Sequence, residues 1–225
     1  MLPVLLWLVF GYLLGSIPGA YLTARILKGI DIRQYGSGNV GGANVMEHVG
    51  PWAILPVAVI DVGKSLLPTY LALRLGYPVE TAAATGVAAV AGHCWSVYLS
   101  FTGGRGMATA LGALLLLFPM GPAMIVVVHF IGSAFRHAPL ADLVALCALA
   151  PAALWLTGSH VLLWQAIAIL LIAVAKRLHA NSLPLPEDPQ ERRAVLMRRL
   201  LYDRDVPPDQ PWTNRKPPNR DAGAE

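Results

Sequence analysis

Long apolar segments decide what this chain can fold into. Seven of them follow one another, at residues 2–27, 52–73, 79–99, 107–118, 122–135, 140–156 and 161–174. About 20 apolar residues in a helix cross the hydrocarbon core of a bilayer, where a helix satisfies its own backbone hydrogen bonds. The pattern predicts an all-α polytopic integral membrane protein with seven transmembrane helices. The number falls to six if the fourth and fifth segments form one kinked helix.

The distribution of charge favours seven spans. Residues 1–180 carry nine Lys/Arg and five Asp/Glu, whereas residues 181–225 carry eight of each. With seven spans and an external N-terminus, the outer loops contain Arg74, and the inner loops contain Lys28, Arg33, Arg105, Arg136, Lys176 and Arg177. Membrane proteins keep such an excess of cations on the cytoplasmic side. We therefore attribute the net positive charge to membrane topology. We predict no nucleic-acid partner, because no basic stripe with interleaved aromatic residues is present.

The composition divides the chain into a transmembrane region at 1–180 and a charged, Pro-rich cytoplasmic tail at 181–225. A short amphipathic helix is predicted at 187–202, because acidic residues precede it and Arg198 and Arg199 lie near its end. This helix either rests on anionic lipid or is solvated. Disorder is predicted from Pro207 onward. Cys94 and Cys147 lie in apolar segments without metal-ligand spacing, so both are predicted to be core residues.

A first glycine-rich loop, DIRQYGSGNVGGANV, occupies residues 31–45. Glycines let successive backbone N–H groups point at one anion, and Ser and Asn side chains add donors. Asp31 and Arg33 are expected to pair at the start of the loop. The composition fits either a phosphate site or a flexible interhelical linker.

A second loop, FTGGRGMAT, occupies residues 101–109 at the start of an apolar helix. A guanidinium suits forked recognition of a phosphate, and a helix N-terminus adds partial positive charge. If Arg105 does not bind phosphate, it is a positive charge that keeps this loop on the cytoplasmic side of the membrane.

Three ionisable residues lie inside the apolar segments. Asp61 and Lys64 are three positions apart, so they form a structural pair or Lys64 faces a site. His93 is either a base for a hydroxyl or a hydrogen-bonded packing residue. The sequence lacks HExxH and GxSxG patterns and paired carboxylates, which excludes the common metalloproteases, serine hydrolases and glycosidases.

Four motifs together resemble the bacterial acyl-phosphate:glycerol-3-phosphate acyltransferases. They are GSIPGAYL (15–22), the first loop, DVGKS (61–65) and GHCWSVYLSFTGGRGMATALGA (92–113). The resemblance covers about residues 11–175 and implies a seven-helix enzyme of the bacterial inner membrane. Such enzymes transfer a fatty acyl group from acyl phosphate to the 1-hydroxyl of glycerol 3-phosphate. The products are lysophosphatidic acid and phosphate, in phospholipid biosynthesis, with neither metal nor cofactor.

The loop chemistry and the resemblance together predict the site residues. The predicted catalytic residues are Ser37, Lys64, His93 and Arg105. The predicted substrate-binding residues are Arg33, Gly36, Gly38, Asn39, Gly41, Asn44, Gly103, Gly104, Gly106 and Asn181. Acyl phosphate, glycerol 3-phosphate and membrane lipid are the implied partners, and the sequence leaves the oligomeric state open.

The chain departs from the family pattern at several positions. Ala43 replaces a threonine of the family, Glu47 replaces an arginine, and Arg105 replaces a lysine. The family motif around Asn181 is not recognisable. A carboxylate in the site would repel phosphate. The alternatives are a paralogue acting on another phosphorylated acceptor, a catalytically silent lipid-phosphate-binding protein, and a small transporter, although no internal repeat is evident.

Overall fold

The computed structural model describes residues 2–207, apart from the side chain of Ser182. Within this range the regular elements are helical, and an isolated antiparallel bridge joins Ser96 and Thr102. The α-helices are α1 Leu2–Gly15, α2 Gly19–Lys28, α3 Gly42–His48, α4 Ile54–Arg74, α5 Val79–Cys94, α6 Met107–Leu115, α7 Met120–Ala134, α8 Ala138–Thr157, α9 His160–His179 and α10 Pro189–Tyr202. The all-α prediction is confirmed.

Four stretches of the described chain are long and apolar enough to cross a membrane, namely Leu2–Lys28, Pro51–Arg74, Ala138–Thr157 and His160–His179. The first is interrupted between α1 and α2, where Pro18 cannot donate a backbone hydrogen bond. Helices α5, α6 and α7 are shorter, at 16, 9 and 15 residues. The membrane character is supported, whereas the count of seven spans stays a prediction.

The fourth and fifth predicted segments form two helices instead of one kinked helix. Helix α6 ends at Leu115, the N–H of Phe118 closes on the carbonyl of Leu114 at 2.7 Å, and α7 begins at Met120 after Pro119. The two helices contact each other.

Helix α5 lies at the centre of the bundle and packs against α1, α4, α6 and α9. Glycines allow these close approaches. A Cβ at Gly15 of α1 would lie 2.1 Å from the carbonyl oxygen of Ala89, and one at Gly112 of α6 would lie 2.1 Å from that of Val62. Small residues at helix contacts are typical of membrane bundles, because they permit close backbone packing. The packing carries His93, at the end of α5, against α4.

The first loop rests on a small core of its own. Ile32, Val40 and Val45 are buried together with side chains of α2, α4 and the segment before the second loop, including Leu99. A larger core joins α5 to α9 and includes Cys94. Cys147 lies on the outer face of α8 and is exposed, so its prediction as a core residue was wrong. An apolar periodicity inside a membrane span does not separate lipid-facing from core-facing positions.

The predicted tail helix is observed as α10, and it packs against α8 and α9. Its first turn is capped by Asp188, whose carboxylate accepts a hydrogen bond from the N–H of Glu191 at 2.7 Å. Most of the predicted disordered end, residues 208–225, lies outside the described residues.

Candidate active site at the junction of two glycine-rich loops

The two glycine-rich loops meet at one end of the bundle and border a cleft of about 310 Å³. The cleft is lined by Asp31, Arg33, Gln34, Ser37, Gly38, Thr102, Asn181 and Leu183. Four predicted site residues, Arg33, Ser37, Gly38 and Asn181, therefore come together here. Gln34 and Thr102 lie within the two loop motifs but were not predicted as site residues, and Leu183 lies outside every motif.

Asn44 organises the first loop from within. Its buried Nδ2 donates to the carbonyl oxygens of Ile32, Tyr35 and Asn39 at 3.0–3.1 Å. An amide nitrogen carries two hydrogens, so these carbonyls already occupy the donor that was predicted to contact substrate. Ser37 Oγ accepts from the N–H of Asn39 at 3.3 Å, which closes a local turn.

Glycine is required in this loop where the backbone turns. Gly36 and Gly38 have φ values of 51° and 70°, in the left-handed region that glycine adopts without steric cost. Gly41 has extended backbone and precedes α3. The loop therefore presents Gly38 to the cleft while its own residues hold its shape.

The predicted pair of Asp31 and Arg33 is confirmed. The carboxylate accepts from Arg33 Nη2 at 2.6 Å and from Nε at 2.9 Å, and it also accepts from the N–H of Arg33 at 3.0 Å. The hydrogen bonds from Arg33 hold the pKa of Asp31 below its usual range, and those to Asp31 raise the pKa of Arg33. The guanidinium also lies over the ring of Tyr21 at 5.3 Å. These contacts fix a cation at the edge of the cleft.

Residues from outside the second loop hold it in place. Asn181 accepts from the N–H of Gly103 at 3.3 Å and donates to the carbonyl of Gly103 at 3.1 Å. The N–H of Gly104 donates to the carbonyl of His93 at 3.1 Å. A Cβ at Gly104 would lie 2.2 Å from His93 Nε2 and 2.6 Å from the carbonyl oxygen of Val40. Gly104 therefore marks the point where both loops and α5 touch.

A buried cluster lies behind Gly104. Lys64 Nζ lies 2.8 Å from Asp61 Oδ1, 2.7 Å from His93 Nδ1 and 2.9 Å from the carbonyl oxygen of Ile17. The predicted Asp61–Lys64 pair is confirmed, and it also ties α4 to the break between α1 and α2. The described lining of the cleft does not include Lys64 or His93. Their contacts place them one layer behind the loops.

Arg105 is absent from the described lining of the cleft. Its Nε lies 2.6 Å from Asp203 Oδ1, and its Nη1 donates to the carbonyl of Lys176 at 3.2 Å. Lys176 is buried, lies over the ring of Trp95 and donates to Asn181 Oδ1 at 2.7 Å. The partnership of Asp203 and the role of Lys176 were missed by sequence reasoning, and the only signal for Lys176 was a lysine at the end of an apolar span.

Two other charged positions that the sequence singled out have different surroundings. Arg177 donates to the carbonyls of Leu200 and Pro139 at 2.8 Å, so it joins α9 to α10 and α8. Glu47 is exposed on α3 and is absent from the described lining of the cleft. The repulsion expected from a carboxylate in the site therefore does not arise from Glu47.

Comparisons with known proteins identify the family. The family model described as glycerol-3-phosphate acyltransferase matches residues 5–183. Glycerol-3-phosphate acyltransferase 5 of Dehalococcoides mccartyi is 35% identical over 218 residues, which cover 92% of this chain and 91% of the relative. Glycerol-3-phosphate acyltransferase of a Synechococcus species is 44% identical over 146 residues, which cover 64% of this chain and 73% of the relative.

Solved structures show the same architecture. The crystal structure of PlsY (YgiH), an integral membrane glycerol 3-phosphate acyltransferase, in its glycerol 3-phosphate form superposes with a TM-score of 0.70 at 30% identity, covering 80% of this chain and 90% of that one. Its lysophosphatidic acid form gives the same TM-score and identity. The chain belongs to the glycerol-3-phosphate acyltransferase family.

Proposed function

We propose that this protein transfers a fatty acyl group from acyl phosphate to the 1-hydroxyl of glycerol 3-phosphate. The products are lysophosphatidic acid and inorganic phosphate, in phospholipid biosynthesis. The observation that carries the proposal is the cleft between the two glycine-rich loops, which brings Arg33, Ser37, Gly38 and Asn181 together in a chain of this family.

The chemistry demands little from protein side chains. Acyl phosphate is a mixed anhydride, so the substrate hydroxyl attacks an already activated carbonyl carbon. The new ester C–O bond forms, the C–O bond to phosphate breaks, and a phosphate oxygen takes the hydroxyl proton. Catalysis then depends on positioning and on donors that stabilise the departing phosphate.

The cleft supplies groups for both tasks. Arg33 presents a guanidinium that Asp31 orients, and forked recognition of phosphate suits it. Ser37 and Thr102 place hydroxyl groups on opposite loops, and Gly38 brings backbone close to the substrate. In this proposal Lys64 and His93 support Gly104 from behind, and Arg105 acts through the loop that it belongs to.

An apolar groove between α1, α5 and α9 is proposed to hold the acyl chain. It has a volume of about 550 Å³ and is lined mostly by alanine and valine side chains, including Ala84, Val87 and Ala91, together with Trp164. From Glu80 to Ala91 it follows α5 for roughly 17 Å at 1.5 Å per residue. The groove ends at Ala91, about one helical turn before Trp95, and Lys176 Nζ lies over the ring of Trp95.

We also infer the membrane arrangement of the chain. Seven passes within residues 1–180, with the N-terminus outside, would place both glycine-rich loops and the tail on the cytoplasmic side of the bacterial inner membrane. Contacts between Asn181 and Gly103 and between Arg177 and Pro139 gather the corresponding helix ends at one end of the bundle. Arg74 is exposed at the end of α4 and fits the opposite side.

The test is acyl transfer by purified protein in detergent or lipid, with palmitoyl phosphate and radiolabelled glycerol 3-phosphate. We expect labelled lysophosphatidic acid with acyl phosphate and none with palmitoyl-CoA or acyl-carrier protein. Arg33→Gln should raise the KM for glycerol 3-phosphate by about 10- to 100-fold, since a hydrogen bond to a charged group contributes about 1.5–3 kcal/mol. Arg74→Gln is the matched control and should behave as wild type. Absence of product from the wild type would overturn the proposal.

A second variant separates this function from a paralogue that acts on another acceptor. Because Glu47 is exposed outside the cleft, Glu47→Arg should change turnover of glycerol 3-phosphate by less than about twofold. Activity that appears only in Glu47→Arg would instead favour a different acceptor.

A further inference from the structure

The C-terminal segment 184–207 lies beyond the family-model match, which ends at residue 183, yet it contacts the second glycine-rich loop. Asp203 directly follows α10, and its Oδ1 lies 2.6 Å from Arg105 Nε. The two side chains are 21% and 15% exposed, so the pair is largely sheltered from solvent. The tail thus supplies a carboxylate to the arginine of the GGRG turn.

The same segment also holds the residues on either side of Asn181. Arg199 of α10 is buried, and its guanidinium donates to the carbonyls of Leu178 and Leu183 at 3.0 Å. Asp205 accepts from Arg199 Nε at 2.7 Å and from Nη2 at 2.9 Å, which orients the guanidinium. Arg199 therefore closes the short turn that presents Asn181 to Gly103.

Backbone conformation shows why this region needs support. Ala180 and Asn181 have φ values of 44° and 54°, and Ser100 and Phe101 have 52° and 62°. Residues other than glycine rarely adopt this region, and they persist in it only where the surrounding structure holds them. The hydrogen bonds between Gly103 and Asn181 link the two chain segments that contain these pairs.

We propose that residues 199–205, at the end of α10 and just after it, are part of the acyl-transfer site, and that Asp203 and Arg199 are positioning residues for the second glycine-rich loop. Asp203 acts through Arg105, and Arg199 acts through the turn carrying Asn181. Arg105 is absent from the described cleft lining, so in this proposal Asp203 orders the loop and does not compete with substrate phosphate for a cation. This inference rests on the proposed acyl transfer for its kinetic consequence.

Two matched substitutions at opposite ends of α10 test the proposal. Asp203→Asn removes the charge, and asparagine is well tolerated at a left-handed position after a helix, so the end of α10 is preserved. Asp188→Asn makes the same change at the start of α10, where asparagine caps as well as aspartate. The measurements are hydrogen exchange of the peptide 99–107 and the KM and kcat with palmitoyl phosphate and glycerol 3-phosphate.

Asp203→Asn should increase exchange in 99–107 and lower kcat/KM about fivefold to tenfold, mainly through KM. Asp203→Glu should recover part of the loss, and Asp188→Asn should match wild type in both measurements. Unchanged exchange and kinetics in Asp203→Asn would overturn the proposal. Higher activity in Asp203→Asn would also overturn the proposal, because it would mean that Asp203 competes with substrate. A lower folded yield with normal kinetics per folded enzyme would overturn it as well.

The exchange measurement does not depend on turnover. If the wild type made no lysophosphatidic acid, the proposed function would fail, whereas the difference in exchange between Asp203→Asn and Asp188→Asn would still decide whether the tail orders the loop.

Discussion

The two glycine-rich loops have similar compositions but are held in different ways. The first is stabilised by its own residues, because Asn44 binds carbonyls 5 to 12 positions earlier and Asp31 binds Arg33 two positions later. The second is held from outside, by His93 on one side and by Asn181, 78 residues away, on the other. A loop of the first kind keeps its shape locally, whereas the second depends on how the whole bundle packs.

Backbone strain separates the loops in the same way. The first loop places its positive φ values on Gly36 and Gly38, where they carry no steric penalty. The second loop is entered through Ser100 and Phe101, and its anchor turns at Ala180 and Asn181. Non-glycine residues in this region cost of order 1–3 kcal/mol each. We therefore expect the second loop to be the more sensitive of the two to distant substitutions.

The largest effect is expected at the junction of the loops. Gly104→Ala would place a Cβ 2.2 Å from His93 Nε2 and 2.6 Å from the carbonyl oxygen of Val40, so both loops must move. A displacement of about 1 Å can cost 100-fold in rate, and we expect at least that loss of acyl transfer. Gly63→Ala, on α4 with open space around its Cβ, should keep the wild-type folded yield. Wild-type turnover in Gly104→Ala would contradict the contact.

Asn44→Ala tests whether the first loop is held from within. It removes the donor shared by three carbonyls, and each buried group left unpaired costs about 1–3 kcal/mol. We expect a lower unfolding temperature in detergent and faster hydrogen exchange confined to residues 31–45. Equal exchange increases in both loops would show that the first loop is not locally held.

Asn181→Ala is the reciprocal test for the second loop. It removes both hydrogen bonds to Gly103 and the acceptor of Lys176, so exchange should rise in residues 99–107 and remain unchanged in 31–45. Because Asn181 is only partly buried, the effect on unfolding temperature should be smaller than that of Asn44→Ala, with kcat/KM lower by about tenfold. An unfolding temperature that falls further than in Asn44→Ala would reverse the comparison.

The smallest effect is expected from protonation of Asp31, at the start of the first loop. The hydrogen bonds from Arg33 lower the pKa of Asp31 below its ordinary value of 3.8. The stabilisation is therefore present above about pH 4 and is lost as pH falls through the lower folded-state pKa. The difference in unfolding temperature between wild type and Asp31→Asn should be small, because the pair is partly exposed. This difference should be constant from pH 5 to 7 and should narrow below pH 4. A difference that widens in acid would contradict the assigned direction.

Much of the fold was predictable because it depends on local pattern. Runs of apolar residues predicted helices, the distribution of charge favoured separate fourth and fifth segments, and charges at both ends predicted α10. Ion pairs at short spacing were equally accessible, since Asp61 and Lys64 share one face of a helix at i and i+3. The break between α1 and α2 was missed, although Pro18 was the available signal.

In the candidate site, too, features within one loop were predictable and contacts between distant residues were not. Arg33, Ser37 and Gly38 follow from a motif within one loop, and the structure places them at the cleft. The role of Arg105 toward phosphate stays a prediction, and its partner in the structure, Asp203, could not be predicted from the motif. Glu47 was the principal reason to consider another acceptor, and its position on the exposed side of α3 could not be read from the motif.

The sequence by itself determined the helical membrane class, the two loops and the short-range pairs, because hydrophobic period, turn residues and i to i+3 spacing act over a few positions. The tertiary structure alone decided the exposure of Cys147, the burial of Lys176 and the partner of Arg105. These depend on which helix faces meet and on where a distant tail docks. Such contacts join residues many positions apart, and no local propensity specifies them.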